Sequence, residues 1–406
     1  MILRLTDQPW LMAPATRAVM AALEAAGGPG CARFVGGCVR NALIGQPVAD
    51  VDIATTLKPE ETERAIRAAG LKAVPTGIAH GTVTAVAERR PFEITTLRRD
   101  VSTDGRNATV AFTDDWAEDA ARRDFRLNAL YADADGHVFD PTGEGVADCR
   151  AGRIVFVGDP ETRIREDFLR ILRFFRFHAW YGRDEPDPAA LAACRTLAPG
   201  MTRLSAERVS SELMKLLAAP DPRAAMAAMA GAGVLAQVLR EAQLSRLFEA
   251  AVAQGADPLV RLMVLLPPDE AVVRAAATRL RLANAVRDRL AFAARAVPAI
   301  NLSMSDREAR AALYHHGATA FSDAVRRHWA ETPHRSSEAR RLLSLAETWT
   351  RPPLPVGGRD LARLGVAPGP ETGRLLKAFE AGWIADDFPA TGHAERLQAL
   401  VSPPRG

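Results

Sequence analysis

Apolar and polar positions follow two different rhythms along this chain. Over roughly the first 140 residues, short runs rich in β-branched residues sit between turn formers, the pattern of strands. Residues 33–35 read as a strand closing on Gly36-Gly37, followed by a short helix over 39–44 that Gly45 ends. Residues 51–53 form a second predicted strand, and 82–87 with 92–97 a hairpin turning at Arg89-Arg90. From about residue 154 the strand signal almost vanishes. Ala/Leu/Arg stretches at helical spacing replace it, broken at Pro267-Pro268, Pro298, Pro333 and Pro352-Pro353. The expectation is an α+β chain: a head with a mixed β-sheet over residues 1–150, an all-α neck over 151–217, and an all-α body and tail over 218–406.

Composition narrows the class without choosing a function. The 406 residues are 48% hydrophobic, enough for two or three packed units. With 25% charged residues and a net charge of +3, the chain is neither disordered nor strongly basic. A nucleic-acid partner would have to be met by local patches. Lysine occurs only at Lys58, Lys72, Lys215 and Lys377, so nearly all the positive charge is arginine. Cys31, Cys38, Cys149 and Cys194 lack Cys-x-x-Cys spacing, which points to reduced thiols rather than zinc or disulfides. Neither a basic-then-apolar leader nor a run of ~20 apolar residues is visible, so the expected setting is cytoplasmic, away from membranes.

Candidate chemistry concentrates in FVGGCVRNALIGQPVADVDIAT, residues 34–55. Two glycines after a strand let the backbone approach a phosphate closely, and Arg40, one turn into the next helix, could grip it. A plain structural turn would use the same glycines. Asp50 and Asp52 add a sharper signal, because residues i and i+2 of a strand share a face. Two bare carboxylates on one face repel and call for a cation, and magnesium prefers a few carboxylates together with substrate phosphates.

This segment resembles the polymerase β-like nucleotidyltransferase superfamily, and within it the class II tRNA CCA-adding enzymes and bacterial poly(A) polymerases. The resemblance implies that Gly36, Gly37 and Arg40 hold the incoming triphosphate and that Asp50 and Asp52 bind two Mg²⁺ ions. A third carboxylate on a neighbouring strand matches Glu93 in PFEITTLR. The implied reaction is two-metal nucleotidyl transfer, in which the RNA 3′-hydroxyl is activated and the departing pyrophosphate steadied. Asn41 departs from the family pattern, which usually has aspartate after the arginine.

Downstream, EDAARRDFRLNALYAD (118–133) brings Arg122, Arg123 and Arg126 within about one predicted helical turn, as a solvated basic face would. It also resembles the family's RRDF-x-x-NA motif, implying that Arg123 contacts the nucleotide and Asp124 helps discriminate the ribose. Residues 100–112, turn-rich and with little apolar pattern, correspond to the family's flexible loop.

The neck stretch RIREDFLRILRFFRFHAW (163–180) reads as one helix with Arg170, Arg173 and Arg176 every three residues and Asp167 on the face of Arg170. The pair suits an intrahelical ion pair of a few tenths of a kcal/mol. It equally suits base recognition: a carboxylate accepts from the exocyclic amine of cytosine or adenine while a guanidinium donates to ring acceptors, an order that uracil and guanine reverse. The resemblance is to the family's Glu-Asp-x-x-Arg motif, which implies that Asp167 and Arg170 stand in for a template and that Arg173 and Arg176 line the nucleotide site.

SAERVSSELMKLL (205–217) opens on an N-cap serine and resembles the family's last neck motif, with a supporting role. GGRDLARLGVAPGPETGRLL (357–376) reads as two short helices, either a packing element or a backbone-phosphate contact for tRNA. No His-Asp doublet marks an appended phosphohydrolase. The function implied is addition of CMP and AMP from CTP and ATP to the tRNA 3′ end, with Mg²⁺ as cofactor. A poly(A) polymerase is the nearest rival, but the region AAGLKAVPTGIAHGTVTAV lacks the basic cluster such relatives carry. Specialists adding only CC or only A, and a non-catalytic RNA-binding relative, stay open. Intact Arg40, Asp50, Asp52 and Glu93 weigh against the last.

Overall fold

The computed structural model describes residues 3–78, 81–103 and 108–402. The chain divides into two compact units, residues 1–240 and 241–406. The expected head and neck fall within the first.

Seven strands of the first unit form one mixed sheet: β1 (Ala32–Val35), β2 (Asp52–Thr55), β3 (Lys72–Gly77), β4 (Thr82–Ala87), β5 (Arg90–Thr96), β8 (Tyr131–Ala132) and β9 (Val138–Phe139). Their order is β3-β4-β5-β2-β1-β8-β9, and only the central β2–β5 pair is parallel. Alternation along the strands gives each face its own partner. Phe34, Ile53 and Ile94 point one way into the buried core, and Trp10 meets the Phe34 ring edge-on at 4.9 Å. Val35 and Ala54 point the other way, into a cluster with Leu97, Ala120, Ala129, Tyr131 and Val157. Asp52, two residues before Ala54, belongs to this second face. That places the carboxylate of β2 at the end of a strand buried in mid-sheet, a rigid mount for a reactive group.

Strands β6 (Arg98–Thr103) and β7 (Ala108–Phe112) pair as a separate two-stranded ribbon that takes in most of the stretch 100–112 read as a loop; residues 104–107 lie outside the described residues. The β4–β5 hairpin turns at Glu88 and Arg89, both with positive φ (48° and 63°), one residue earlier than expected, because Arg90 already pairs with Ala87. Beyond residue 154 the named elements are helices, as the apolar spacing predicts.

The neck departs from expectation in one informative way. Residues 163–180 do not form a single helix: Pro160–Glu166 ends, Asp167 turns extended (φ −152°, ψ 107°), and a second helix runs Leu169–Tyr181. The Asp167 carboxylate accepts from the Leu169 amide at 3.1 Å, the local competition that lets aspartate interrupt a helix. Ser205 takes the N-cap position of the Ala206–Leu217 helix, but its hydroxyl makes no capping bond.

The second unit is helical throughout its named elements. One core cluster gathers Phe321, Leu313 and Leu342, and another joins Tyr314, Leu361, Phe379 and Trp383. The two predicted tail helices are present as Gly358–Arg363 and Pro370–Ala385.

Candidate active site

A cleft of about 320 Å³ opens on the second face of the sheet, in the first unit. Gly36, Gly37, Arg40, Asp52, Glu93, Arg123, Asp124 and Arg173 all line it, along with Arg98, Arg122, Asn128 and Phe177. Sequence reasoning thus brings eight of its site residues to one place. Asp50 lies exposed just before β2 rather than within it, while Asp167, Arg170 and Arg176 stand apart from the lining.

The floor is acidic. Parallel pairing sets Asp52 directly beside Glu93 in register. Among the described residues, no arginine, lysine or histidine forms an ion pair with Asp50, Asp52 or Glu93, although the cleft is rich in arginine. The Asp52 side chain is reached by water, yet the cleft walls remove part of its hydration. With Glu93 and Asp50 alongside, its carboxyl is pushed up to about 6. Among the described residues no three His, Cys, Asp or Glu side chains are gathered into a ready cage. So small a set of carboxylates fits a divalent cation that keeps waters and completes its shell with substrate phosphates.

Opposite the floor stands a wall of arginines, each held differently. Gly36, with φ 72°, sets the strand-to-helix turn that glycine permits, and the Gly37–Leu43 helix then carries Arg40 inward. Arg40 is 7% exposed. Its hydrogen bonds go to neutral groups: Asn128 Oδ1 at 2.6 Å, Asn41 Oδ1 at 2.9 and 3.1 Å, and the Tyr181 hydroxyl at 2.8 Å, with the guanidinium 4.0 Å from the Tyr181 ring centre. Burial lowers its pKa below the usual arginine value.

Arg122, Arg123 and Arg126 do not share a helical face, because the Trp116–Ala121 helix stops before them. Asp119 takes Arg122 on one oxygen and Arg123 on the other, at 2.6 and 2.9 Å. Arg126 turns away to Glu144. Asp124 is 8% exposed and fully engaged: Arg173 donates to Oδ2 (2.7 Å from Nε), and Asn128 and the Phe125 amide to Oδ1 at 3.0 and 2.8 Å. Burial works to raise this carboxyl, but Arg173 and the two other donors bring it below the usual range. The structure therefore shows Asp124 as the anchor of Arg173.

The Asp167–Arg170 ion pair, one of the two readings of that spacing, is not what the neck forms. Asp167 accepts from Arg208 at 2.6 Å, and Arg170 donates to Glu166 at 2.5 Å and to the carbonyls of Arg163 and Arg122. The broken helix is the reason: an extended Asp167 no longer shares a helical face with the residue three places on. Arg176 pairs with Glu212 at 2.6 Å and lies 4.3 Å from the Phe177 ring centre. Sequence reasoning missed Asn128, Tyr181, Glu166, Arg208 and Glu212. Asn128 carried a signal in RRDFRLNA, Glu166 as the glutamate of the Glu-Asp-x-x-Arg match, and Arg208 and Glu212 by lying in SAERVSSELMKLL; Tyr181 carried none.

A mixed-sheet head with an acidic floor, an arginine wall and a helical neck defines the class: a nucleotidyltransferase. Comparison with known proteins agrees. The Poly A polymerase head domain family matches residues 32–155, and the family described as the probable RNA and SrmB-binding site of polymerase A matches 185–244. The human mitochondrial CCA tRNA nucleotidyltransferase 1 is 33% identical, with 86% of this chain and 82% of the relative covered. The CCA-adding enzyme of Limosilactobacillus fermentum is 31% identical over 92% of this chain and 94% of its own. The crystal structure of the Bacillus stearothermophilus CCA-adding enzyme in complex with CTP superposes with a TM-score of 0.75 at 26% identity, covering 93% and 94% of the two chains. The chain belongs to the CCA-adding tRNA nucleotidyltransferase family.

Proposed function

We propose that this protein adds CMP and AMP, drawn from CTP and ATP, to the 3′ end of tRNA without a nucleic-acid template. The observation that carries this reading is the cleft itself. Asp52 and Glu93 lie unpaired in register on its floor, facing Arg40, Arg123 and Arg173, a polarity suited to a metal-bound triphosphate. Gly36, Gly37 and Arg40 would receive the triphosphate, and Asp50 and Asp52, with Glu93 beside them, would hold Mg²⁺. When bound, the metal supplies charge to an attacking hydroxyl and a departing pyrophosphate.

The chain's own groups do the rest. Arg40 is held by neutral partners, so its full charge is offered to phosphate oxygens. Arg173, fixed on Asp124, is presented with Phe177 at the neck side of the cleft, where a nucleoside would lie. Asp167 and Arg170 would read the base by exchanging Arg208 and Glu166 for the nucleotide's amine and ring acceptors.

In this reading residues 1–150 are the catalytic head, 151–217 the neck and 218–406 a tRNA-binding body and tail. The four cysteines are free and buried, which suits the reducing cytoplasm. Incubation with tRNA transcripts ending before CCA, after C and after CC, using labelled CTP or ATP, tests the assignment. CMP should enter the first two and AMP the third. AMP addition to every transcript would instead identify a poly(A) polymerase.

A further inference from the structure

Asn128 sits where the head meets the neck, 7% exposed, on the short turn Arg126–Asn128. Its backbone amide donates to the Phe125 carbonyl at 2.9 Å, so its position is set by the chain. Its side chain then faces two opposite charges. Oδ1 accepts from Arg40 at 2.6 Å, and Nδ2 donates to Asp124 at 3.0 Å. A carboxamide is the side chain that can accept at one end and donate at the other with no charge of its own. Aspartate would repel Asp124, and an apolar residue would leave both neighbours short of a partner.

The other side of Asp124 is filled by Arg173. Four side chains thus run without a break along the back of the cleft: Arg40, Asn128, Asp124, Arg173. The first comes from the helix after the diglycine, the last from the neck helix. We propose that Asn128 is a positioning residue that fixes the spacing between the triphosphate subsite at Arg40 and the nucleoside subsite at Arg173. This rests on reading the cleft as the nucleotide site. Its consequence is a coupling: loosening one hydrogen-bonded amide disturbs phosphate grip and base choice together, although Asn128 lies between the two subsites.

Two measurements separate this role from simple structural support. Affinity for inorganic triphosphate reports the phosphate subsite alone, and the kcat/KM ratio of CTP to UTP on a tRNA lacking CCA reports the nucleoside subsite. Asn128→Ala should weaken triphosphate binding and narrow the CTP preference, each by about tenfold, since hydrogen bonds to charged groups are at stake. Asn128→Ser should shift both in the same direction by less, and serves if the alanine variant folds poorly by circular dichroism. A change in one readout only, or lower thermal stability with both readouts unchanged, overturns the proposal. Arg40→Gln run in parallel isolates the underlying assignment. If it leaves triphosphate affinity intact, the cleft is not the phosphate site and the coupling falls with it.

Discussion

The sheet side of the site and the neck are built on opposite electrostatic plans. On the sheet side, Asp50, Asp52 and Glu93 gather negative charge that, among the described residues, no arginine, lysine or histidine pairs with, although Arg123 acts on Asp52 through space. On the neck side, every charge of interest is already paired: Asp167 with Arg208, Arg170 with Glu166, Arg173 with Asp124, Arg176 with Glu212. The first set leaves its carboxylates without an ion-pair partner, an arrangement a cation would complete. The second is at rest without a ligand. A group that must bind metal is left unsatisfied in advance, because pairing it would only have to be undone. Groups that must discriminate between bases are held in fixed geometry until the right donor–acceptor order makes exchange worthwhile.

The difference is broken most severely on the acidic side. Asp52→Ala, or Asp50→Ala, should cut nucleotide incorporation by at least 10²–10³, the scale of losing charge stabilisation in a transition state. Binding of tRNA, followed by filter retention, should stay close to wild type. Activity near the wild-type level in either variant would mean that the unpaired carboxylates are not the metal site.

On the neck side the expected effect is smaller and of another kind. Asp167→Ala and Arg170→Ala should lower kcat/KM for CTP and ATP while narrowing their advantage over UTP and GTP by roughly tenfold to a hundredfold, since an unpaired buried group costs ~1–3 kcal/mol. Both side chains also brace the neck, through Arg208 and Glu166. A structural role alone would lower the melting temperature and leave the four-nucleotide ratios unchanged, so steady-state kinetics with all four triphosphates separates the two.

The subtlest difference concerns protons. The Asp52 carboxyl is raised to about 6, so the charged form that a cation needs is lost as pH falls through that value. At limiting magnesium the rate should therefore drop between pH 7 and 5. Tenfold more magnesium should move the midpoint down by up to about one unit, because metal and proton compete for the same oxygens. An acid limb indifferent to magnesium would detach Asp52 from the metal.

The acidic wall was legible in the sequence because its chemistry is local. Gly36, Gly37, Arg40, Asp50 and Asp52 lie within one strand–turn–helix–strand unit, whereas Glu93 was named through the family resemblance alone and is brought beside Asp52 by the parallel pairing of β2 with β5. The neck was read less well. Periodicity placed Arg170, Arg173 and Arg176 on a helix but could not see that Asp167 breaks it, since a single aspartate bonding to the amide two residues on leaves no trace in the apolar pattern. Its partners come from far along the chain, Arg208 at 41 residues and Asp124 at 49, and ion pairs across such separations carry no spacing rule. Asn128 lay in view inside RRDFRLNA, yet an asparagine declares its role only when both of its neighbours are known.

The central claim is that the cleft selects C, C and then A with protein groups in place of a template. Its most direct test is to supply all four nucleoside triphosphates together to a tRNA transcript lacking its last three nucleotides, and to sequence the 3′ ends of the products. The account predicts that the products end in CCA and stop there. Tails of adenylate, products ending at CC, or ends carrying U or G at comparable frequency would contradict it.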